Sequence, residues 1–464
     1  MPIAALLIFL SPNGAAADTS NVSLPELGGQ RGGAAAQGVG GLLSNPAVGD
    51  FVEDGEVFMD VGLFVTEGCY ERAASSEGSY APACSQSAVP HPYLGFAVRP
   101  FEGDIGERIV LGVALGVPFG RSGDFDPQGA QRHHVTDVRY FSVFATPILS
   151  VRIVDWLTLG VGVSYVHTRI ERGTRLDLGQ RLLRLDPGAD PPPPLEDPFL
   201  ESDLRLNGLV GHGVAWHAGV VLRPERTWHV GVGVQSATTI TATGRSVLVP
   251  SRDLALESHA DVTMTFGLPL IVHAGVRWQV EPSWSLGAEV RWTNWSASEA
   301  IQTRFSGSEI MGTNAELDAL LAALGTDDLE RLLNTEDRQY SGANDTVSGR
   351  LLTQVRLADE WQLNGLVGFD RHAVEERFVR PSKFDFDAVS LGLGIEWHVT
   401  GHWALSLSST QYVLLPREIS NSAFNPQASA ESGLGGVSGN GRYSAFLNRT
   451  AVSVRFSWGG DEED

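Results

Sequence analysis

Three features of the sequence predict an all-β fold, a transmembrane antiparallel up-and-down β-barrel of about fourteen strands. Apolar residues alternate with small or polar residues through most of the chain, which is typical of strands that have two different faces. Short and long connections between these strands alternate. Tryptophan opens the strand that follows five of the short connections. An even number of strands places both ends of the barrel wall on one side of the membrane.

The alternation is clearest in residues 284–295. Leu286, Val290 and Trp292 share one face of this strand, whereas Ser285 and Thr293 share the other. In a soluble sandwich the apolar face would form the core, but in an outer-membrane barrel it meets lipid and the small or polar face lines the lumen. The same pattern recurs in residues 230–234, 272–278, 389–397 and 452–458.

Connection lengths separate these two interpretations. Short turns occur at residues 100–106, 154–155, 224–227, 281–283, 358–360 and 400–402. Long connections occur at residues 66–92, 121–135, 171–202, 243–258, 306–345, 374–382 and 418–442. Their regular alternation indicates a barrel with short periplasmic turns and longer extracellular loops. The predicted strands start near Val57, Pro92, Arg108, Asp137, Trp156, Leu204, Trp228, His259, Trp284, Thr346, Trp361, Phe384, Trp403 and Tyr443.

The tryptophans after the short turns predict an aromatic girdle. The five residues are Trp156, Trp228, Trp284, Trp361 and Trp403. All five would lie in one ring at the periplasmic ends of the strands. An indole suits the membrane–water interface because its ring is apolar and its N–H needs a polar partner.

Composition excludes several classes of function. The chain has 464 residues and a formal net charge of −22, which argues against nucleic acid as a partner because phosphate contacts need a basic face. No stretch approaches the ~18 consecutive apolar residues of a membrane-spanning helix. We find no Gly-x-Ser-x-Gly, His-Glu-x-x-His or phosphate-loop motif, and we predict no catalytic residue, cofactor or metal site. A hydrolase with a serine and a histidine on one inner wall remains an alternative.

Two segments at the start of the chain indicate export. Residues 3–10 form a short apolar run and residues 15–17 are alanines, which predicts a signal peptide over residues 1–17 despite the missing basic n-region. A disordered N-terminus is the alternative. Cys69 and Cys84 lie close together in a polar stretch, so we expect a disulfide in an exported protein.

Residues 32–50 are the least strand-like part of the chain. They are rich in glycine and alanine and carry no charge before Asp50, so composition alone leaves a flexible linker and an enclosed segment equally open. Fourteen strands enclose more volume than the eight whose side chains fill a barrel. The inward faces also carry many glycines, namely Gly160, Gly162, Gly231, Gly233, Gly275, Gly287, Gly392 and Gly394. We therefore predict a hatch over residues 18–52, a barrel over residues 53–458 and an acidic tail over residues 459–464.

Charged residues are also predicted on the inward face of the wall. They are Arg277, Glu289, Arg291, Glu396 and Arg455. Three roles are open for them: pairing with one another, holding the hatch, or binding the polar head group of a ligand.

Four sequence features together resemble the FadL/TodX family of outer-membrane transport proteins. The most specific is Asn45-Pro46-Ala47 after a glycine-alanine run that includes Gly40 and Gly41. The others are residues 117–120 (Val-Pro-Phe-Gly) at the end of the third strand, residues 284–295, and residues 441–443 (Gly-Arg-Tyr) at the start of the last strand. The resemblance covers about residues 28–458. One departure is the acidic tail, since barrels that resemble this one usually end on an aromatic residue.

The resemblance implies a passive outer-membrane channel for hydrophobic compounds such as long-chain fatty acids or hydrocarbons. The N-terminal hatch would plug the lumen, with Asn45, Pro46 and Ala47 as its hinge or latch. The ligand would leave through a lateral opening beside a kinked third strand, for which Gly112, Gly116 and Pro118 are candidates. A Gram-negative outer membrane, with its lipid and lipopolysaccharide, and a monomeric state are expected. A non-specific porin or a structural barrel is the alternative.

One long connection carries an amphipathic pattern of its own. Leu317, Leu320, Leu321 and Leu324 predict a short helix with one apolar face. That face would either form an external lipophilic groove or pack on the barrel rim.

Overall fold

The computed structural model describes residues 32–74, 80–180, 196–249, 257–298, 300–310, 333–334, 336–424 and 438–459, together with residues 315, 318 and 319. The predicted signal peptide, the first part of the predicted hatch, nearly all of the acidic tail and the four leucines of the predicted external helix lie outside the described residues. Among those described, no helix is long and apolar enough to cross a membrane.

The described residues form a closed antiparallel barrel of fourteen strands, as predicted. Its strand segments are β1 (Gly55–Arg72), β2 (Ala83–Val98), β3 (Ile109–Asp124), β4 (Asp137–Val154), β5 (Leu157–Asp177), β6 (Glu201–Glu225), β7 (Trp228–Gln235), β8 (Thr238–Val249), β9 (Ser258–Leu268), β10 (Ile271–Glu281), β11 (Trp284–Thr293), β12 (Ala300–Ile310), β13 (Glu336–Tyr340), β14 (Thr346–Ala358), β15 (Trp361–Asp370), β16 (Ala388–His398), β17 (Trp403–Leu414), β18 (Arg417–Ile419) and β19 (Gly441–Trp458). The barrel closes because β1 pairs with both β2 and β19. Five barrel strands each consist of two consecutive segments, namely β7 with β8, β9 with β10, β11 with β12, β13 with β14, and β17 with β18.

The helical elements whose bounds lie within the described residues have at most six residues. They are the 3₁₀ turns Val39–Gly41, Pro46–Phe51, Pro198–Leu200, Trp295–Ala297 and Glu376–Phe378, and the four-residue α-helix Gly103–Gly106. The first two belong to the N-terminal segment and the others to connections.

Four neighbouring barrel strands break at a similar height above their short turns. The segments below the breaks, β7, β10, β11 and β14, have 8, 11, 10 and 13 residues. A tilted strand needs about 9–11 residues to cross a bilayer. The breaks therefore mark the level at which the wall leaves the membrane and continues as an extracellular extension.

The two faces of the wall are those that the sequence predicts. On β5, Val163 is 53% exposed whereas its neighbour Ser164 is fully buried. All five predicted girdle tryptophans are exposed on the outer face. At this level the ring of Trp228 stacks on that of Trp278 at 5.3 Å between centroids, and Trp361 stacks on Trp397 at 5.8 Å. An apolar outer face bounded by aromatic rings is suited to lipid.

The prediction of a long connection over residues 66–92 is wrong. β1 continues to Arg72 and β2 starts at Ala83, nine residues before the predicted start. Cys69 and Cys84 lie directly opposite each other in this extended hairpin and are joined by a disulfide. The extension has no lipid to face, so its sequence lacks the apolar stripe on which strand prediction depends.

Other extracellular boundaries shift for related reasons. β5 extends to Asp177 and β6 begins at Glu201, so the long connection between them is shorter than predicted. β16 begins at Ala388 instead of near Phe384, because Phe384 packs in an apolar cluster with Phe386 and Tyr443. The segment before β16 thus packs at the mouth of the barrel.

Candidate functional site

The N-terminal segment, residues 32–52, lies inside the barrel at the end that carries the short turns, and we call it the hatch segment. Every residue in it is buried except Gln37 and Phe51, which are half-buried. Gly33 and Gly38 have φ angles of 110° and 120°, a conformation that residues with a Cβ rarely adopt. The glycines in this stretch therefore provide the sharp bends that the enclosed path requires.

Glycines on the inner wall provide the space for this segment. At Gly160, Gly219, Gly231 and Gly233, a Cβ atom would lie closer than 3.0 Å to atoms of residues 34–47. At Gly95 it would lie 2.6 Å from the carbonyl oxygen of Val39. The wall is therefore free of side chains where the backbone of the segment rests on it.

Asn45 connects the segment to itself and to the wall. Its Nδ2 donates to the carbonyl oxygens of Ala34 at 2.7 Å and of Val220 in β6 at 3.0 Å. Its Oδ1 accepts from the backbone N–H of Ala47 at 3.0 Å and caps the turn that follows. Asn45 is fully buried, and its side chain fixes the two halves of the segment relative to each other.

Apolar packing joins the segment to one half of the inner wall. Val39, Leu42, Leu43 and Val48 belong to a buried cluster that includes wall residues of β1 to β6. Each such side chain contributes about 1.5–3 kcal/mol when fully buried, against about 0.5–1.5 kcal/mol for an ordinary hydrogen bond. Packing and polar contacts therefore both hold the segment, and the polar contacts also fix its position because hydrogen bonds are directional.

Two wall carboxylates accept from backbone amides of the segment. Glu289 of β11 is a hydrogen-bond acceptor for the amides of Ala34 and Ala35. Glu56 of β1 accepts from the Val39 amide at 3.1 Å. Glu289, one of the predicted lumen residues, thus holds the hatch segment directly.

Three of the other predicted lumen residues, Arg291, Glu396 and Arg455, pair within the wall. Arg291 donates to Asp370 at 3.0 Å, and Arg350 donates to the same carboxylate at 2.8 Å. Arg455 lies 3.9 Å from Glu396. Arg277 is buried on the inner face. Asp370 and Arg350 were absent from the sequence prediction, although alternation places both on inward faces.

Asp50 forms an ionic cluster at the short-turn end of the barrel, and sequence reasoning missed it. Arg152 donates to its carboxylate at 3.0 and 2.9 Å, and Arg99 at 3.0 Å. Arg223 also donates to it, and the Thr158 hydroxyl donates at 2.7 Å. The sequence carries a signal for this site, since each of these arginines lies within three residues of a short turn.

The charge state of Asp50 follows from this cluster. Burial by itself would raise the pKa of the carboxyl group. Hydrogen bonds from Arg152 and Thr158 and the charges of Arg223 and Arg152 outweigh burial, so the pKa lies below its usual 3.8. Asp50 is therefore ionised at neutral pH.

The ladder between β2 and β3 is interrupted. These strands pair only from Tyr93 opposite Gly116 to Val98 opposite Leu111, whereas β2 pairs with β1 as far as Ala83. Register against β4 also shifts between Gly116 and Phe119, at Pro118. Gly116 and Pro118 thus lie at the interruption, but Gly112 lies within both ladders.

Side chains cross this interruption where the backbone ladder does not. The His91 ring hydrogen-bonds the backbone of Val117, and the Ser85 hydroxyl donates to the Asp124 carbonyl. β2 carries Pro90 and Pro92 in the same stretch, and proline has no N–H to donate to a ladder. At the lower end, Leu43 of the hatch segment lies against Gly116, where a Cβ would be 3.0 Å from its Cδ1.

A small apolar groove, with a cavity volume of roughly 20 Å³, lies on the extracellular extension. It is lined by Leu176, Leu204, Leu248, Ala260, Phe305 and Leu333, and by three serines, Ser246, Ser258 and Ser308.

One serine–histidine pair on the inner wall bears on the hydrolase alternative. Ser164 and His217 are hydrogen-bonded at 2.6 Å, and both are buried. The second ring nitrogen of His217 has no hydrogen-bond partner among the described residues. In a catalytic triad a carboxylate would orient this histidine.

The fold and this site define a transmembrane β-barrel with an N-terminal segment enclosed in its lumen. The profile of the family "Outer membrane protein transport protein (OMPP1/FadL/TodX)" matches residues 11–456, and the chain belongs to this family. Its members and the solved structures below are transport proteins rather than enzymes. A search of curated proteins found no significant match.

Solved structures share the fold at low identity. A Pseudomonas aeruginosa FadL homologue is 16% identical with a TM-score of 0.76, over 97% of this chain and 100% of that one. The Pseudomonas putida toluene transporter TodX is 15% identical with a TM-score of 0.66, over 97% and 99%. The monoaromatic hydrocarbon channel CymD is 14% identical with a TM-score of 0.63, over 94% and 97%.

Proposed function

We propose that this protein is a passive channel for hydrophobic compounds in a Gram-negative outer membrane, acting as a monomer and gated by its N-terminal segment. The observation that carries the proposal is the position of Leu43. It belongs to the apolar cluster that fills the lumen and also lies at the lower end of the β2–β3 interruption. Movement of the segment would thus connect an apolar interior with a lateral exit.

Apolar packing beneath the small groove on the extracellular extension supports the same route. Of the residues that line the groove, Leu248, Phe305 and Leu333 are buried. Phe305 also belongs to a buried cluster with Met264, and Phe266 of the same strand packs against both this cluster and the cluster around the hatch segment. A chain of apolar side chains therefore leads from the groove to Leu43.

Deletion of residues 32–50 tests the gate. In liposome swelling, the full chain should exclude sugars and the deletion variant should admit them, because the segment occupies the lumen. The alternative of a non-specific porin predicts sugar flux in both proteins. A structural barrel whose plug never moves predicts sugar flux only after the deletion, and no uptake of a hydrophobic compound by the full chain. Unchanged flux of both sugars and a fatty acid after deletion would refute the gate.

Restoring backbone donors at the interruption tests the exit. The double variant Pro92→Val/Pro118→Val supplies two N–H groups, so the ladder can extend and uptake of a hydrophobic compound should fall severalfold. Pro147→Val is the matched control, because Pro147 interrupts the β4–β5 ladder on the next strand instead. Equal uptake by the double variant and the wild type would argue against lateral exit, whatever the swelling assay shows.

A further inference from the structure

The Asp50 cluster contains more positive charge than the hatch segment neutralises. Arg99, Arg152 and Arg223 come from the ends of three wall strands and converge on one carboxylate. The wall thus supplies every donor, and the hatch segment supplies only the acceptor. Three guanidinium groups at one point repel one another, so this arrangement favours an anion whether or not Asp50 is present.

The cluster also has unused donor capacity and access. Within the described part of the chain, the Nε of Arg223 is buried and has no acceptor. The side chains of Arg152 and Arg223 are 28% and 19% exposed, whereas that of Asp50 is 1% exposed. A second carboxylate can therefore reach the arginines beside Asp50 before Asp50 leaves.

We propose that this three-arginine cluster is a carboxylate-binding site, which Asp50 fills when the lumen is closed and which the carboxylate of an amphiphilic ligand takes over. Replacement of Asp50 by the ligand carboxylate releases the end of the hatch segment and keeps the charge of the arginine cluster balanced. Bidentate pairing of guanidinium with carboxylate makes the two occupants chemically equivalent. The inference rests on the proposed gate and adds a chemical signal that opens it.

Competition gives a direct test with the purified full chain in detergent. Laurate binding is measured by calorimetry in the wild type, in Asp50→Asn and in Arg152→Gln. Removal of the competing charge should tighten laurate binding to Asp50→Asn at least about tenfold, whereas loss of an arginine should weaken it. Glu53→Gln is the matched control, since Glu53 is an exposed carboxylate nearby whose side chain makes no ion pair among the described residues.

Hydrogen exchange of residues 39–51 provides the second readout. Laurate should accelerate exchange in the wild type, and dodecanol, which has the same chain without the charge, should not. Equal effects of laurate and dodecanol, or unchanged laurate affinity in Asp50→Asn, would overturn the inference. The swelling result of the deletion variant does not depend on carboxylates, so the gate would survive that outcome.

Discussion

At the scale of single residues, Asn45 joins the two halves of the hatch segment to each other and to the wall. Its three hydrogen bonds satisfy the carbonyls of Ala34 and Val220 and the amide of Ala47. The family resemblance selected this residue from sequence, and the structure adds the physical reason, which is a fully buried side chain with both donor and acceptor capacity.

Asn45→Ala tests this role. The substitution leaves buried backbone groups unpaired, which costs about 1–3 kcal/mol each. We expect faster hydrogen exchange in residues 39–51 and altered uptake of a hydrophobic compound. The mobility difference between heated and unheated samples on a gel, which reports the folded barrel, should stay unchanged. Asn364→Ala on the inner wall of β15 serves as a control, because that buried asparagine has no hydrogen bond with the hatch segment in the described structure. Identical hydrogen exchange in both variants would show that the Asn45 side chain does not hold the hatch segment in place.

We expect Asp50 to determine how the closed state of the hatch segment depends on pH. Its pKa in the folded protein is lower than 3.8, so its stabilising charge is present above that value and is lost as the pH falls through the lowered pKa. Bilayer conductance of the wild type should stay low from neutral pH down to pH 3.8 and rise only below it. Asp50→Asn should show no such step. A transition near neutral pH would assign the control of closure to another group.

At the scale of elements, inner-wall glycines determine where the hatch segment can lie. Gly231→Ala places a methyl group on the carbonyl of Ala34, whereas Gly349→Ala adds one where the nearest atom is 4.0 Å away. Overpacking typically costs about 1–3 kcal/mol. We expect sugar entry in swelling assays for Gly231→Ala and none for Gly349→Ala. If both variants stay closed, the segment has room to shift.

The interruption between β2 and β3 involves residues of both strands. The family resemblance implied a kink at Gly112, Gly116 and Pro118 of the third strand. Gly116 and Pro118 lie at the interruption, and Gly112 does not. Pro90 and Pro92 on the facing strand were missed because residues 66–92 were assigned to a loop. Only the pairing of both strands shows that prolines flank the interruption from both sides.

At the scale of the whole molecule, closure of the sheet determines stability. A disulfide that closes a loop of about 15 residues adds up to about 3 kcal/mol in the chain-entropy account. Here Cys69 and Cys84 are already opposite each other in a continuous ladder. We expect Cys69→Ser/Cys84→Ser to remain a folded barrel with a lower urea midpoint. Complete loss of the barrel would show that the disulfide directs assembly.

Strand number, girdle and face assignment were predicted from sequence because they depend on local periodicity and turn length. The period of two and the segregation of short turns are properties of neighbouring residues, and lipid imposes them on every barrel strand alike. Extracellular boundaries were predicted less well, since β1, β2, β5 and β6 continue beyond the lipid where no apolar stripe is needed.

The sequence by itself determined a fourteen-stranded wall, a glycine-lined interior and a short apolar segment that needs enclosure. Only the tertiary structure decided which residues contact one another inside the barrel. Asp50 contacts arginines 49, 102 and 173 positions away, and Leu43 lies against Gly116. Such contacts depend on the closure and register of the whole barrel, which couple distant residues in a way that no local pattern records.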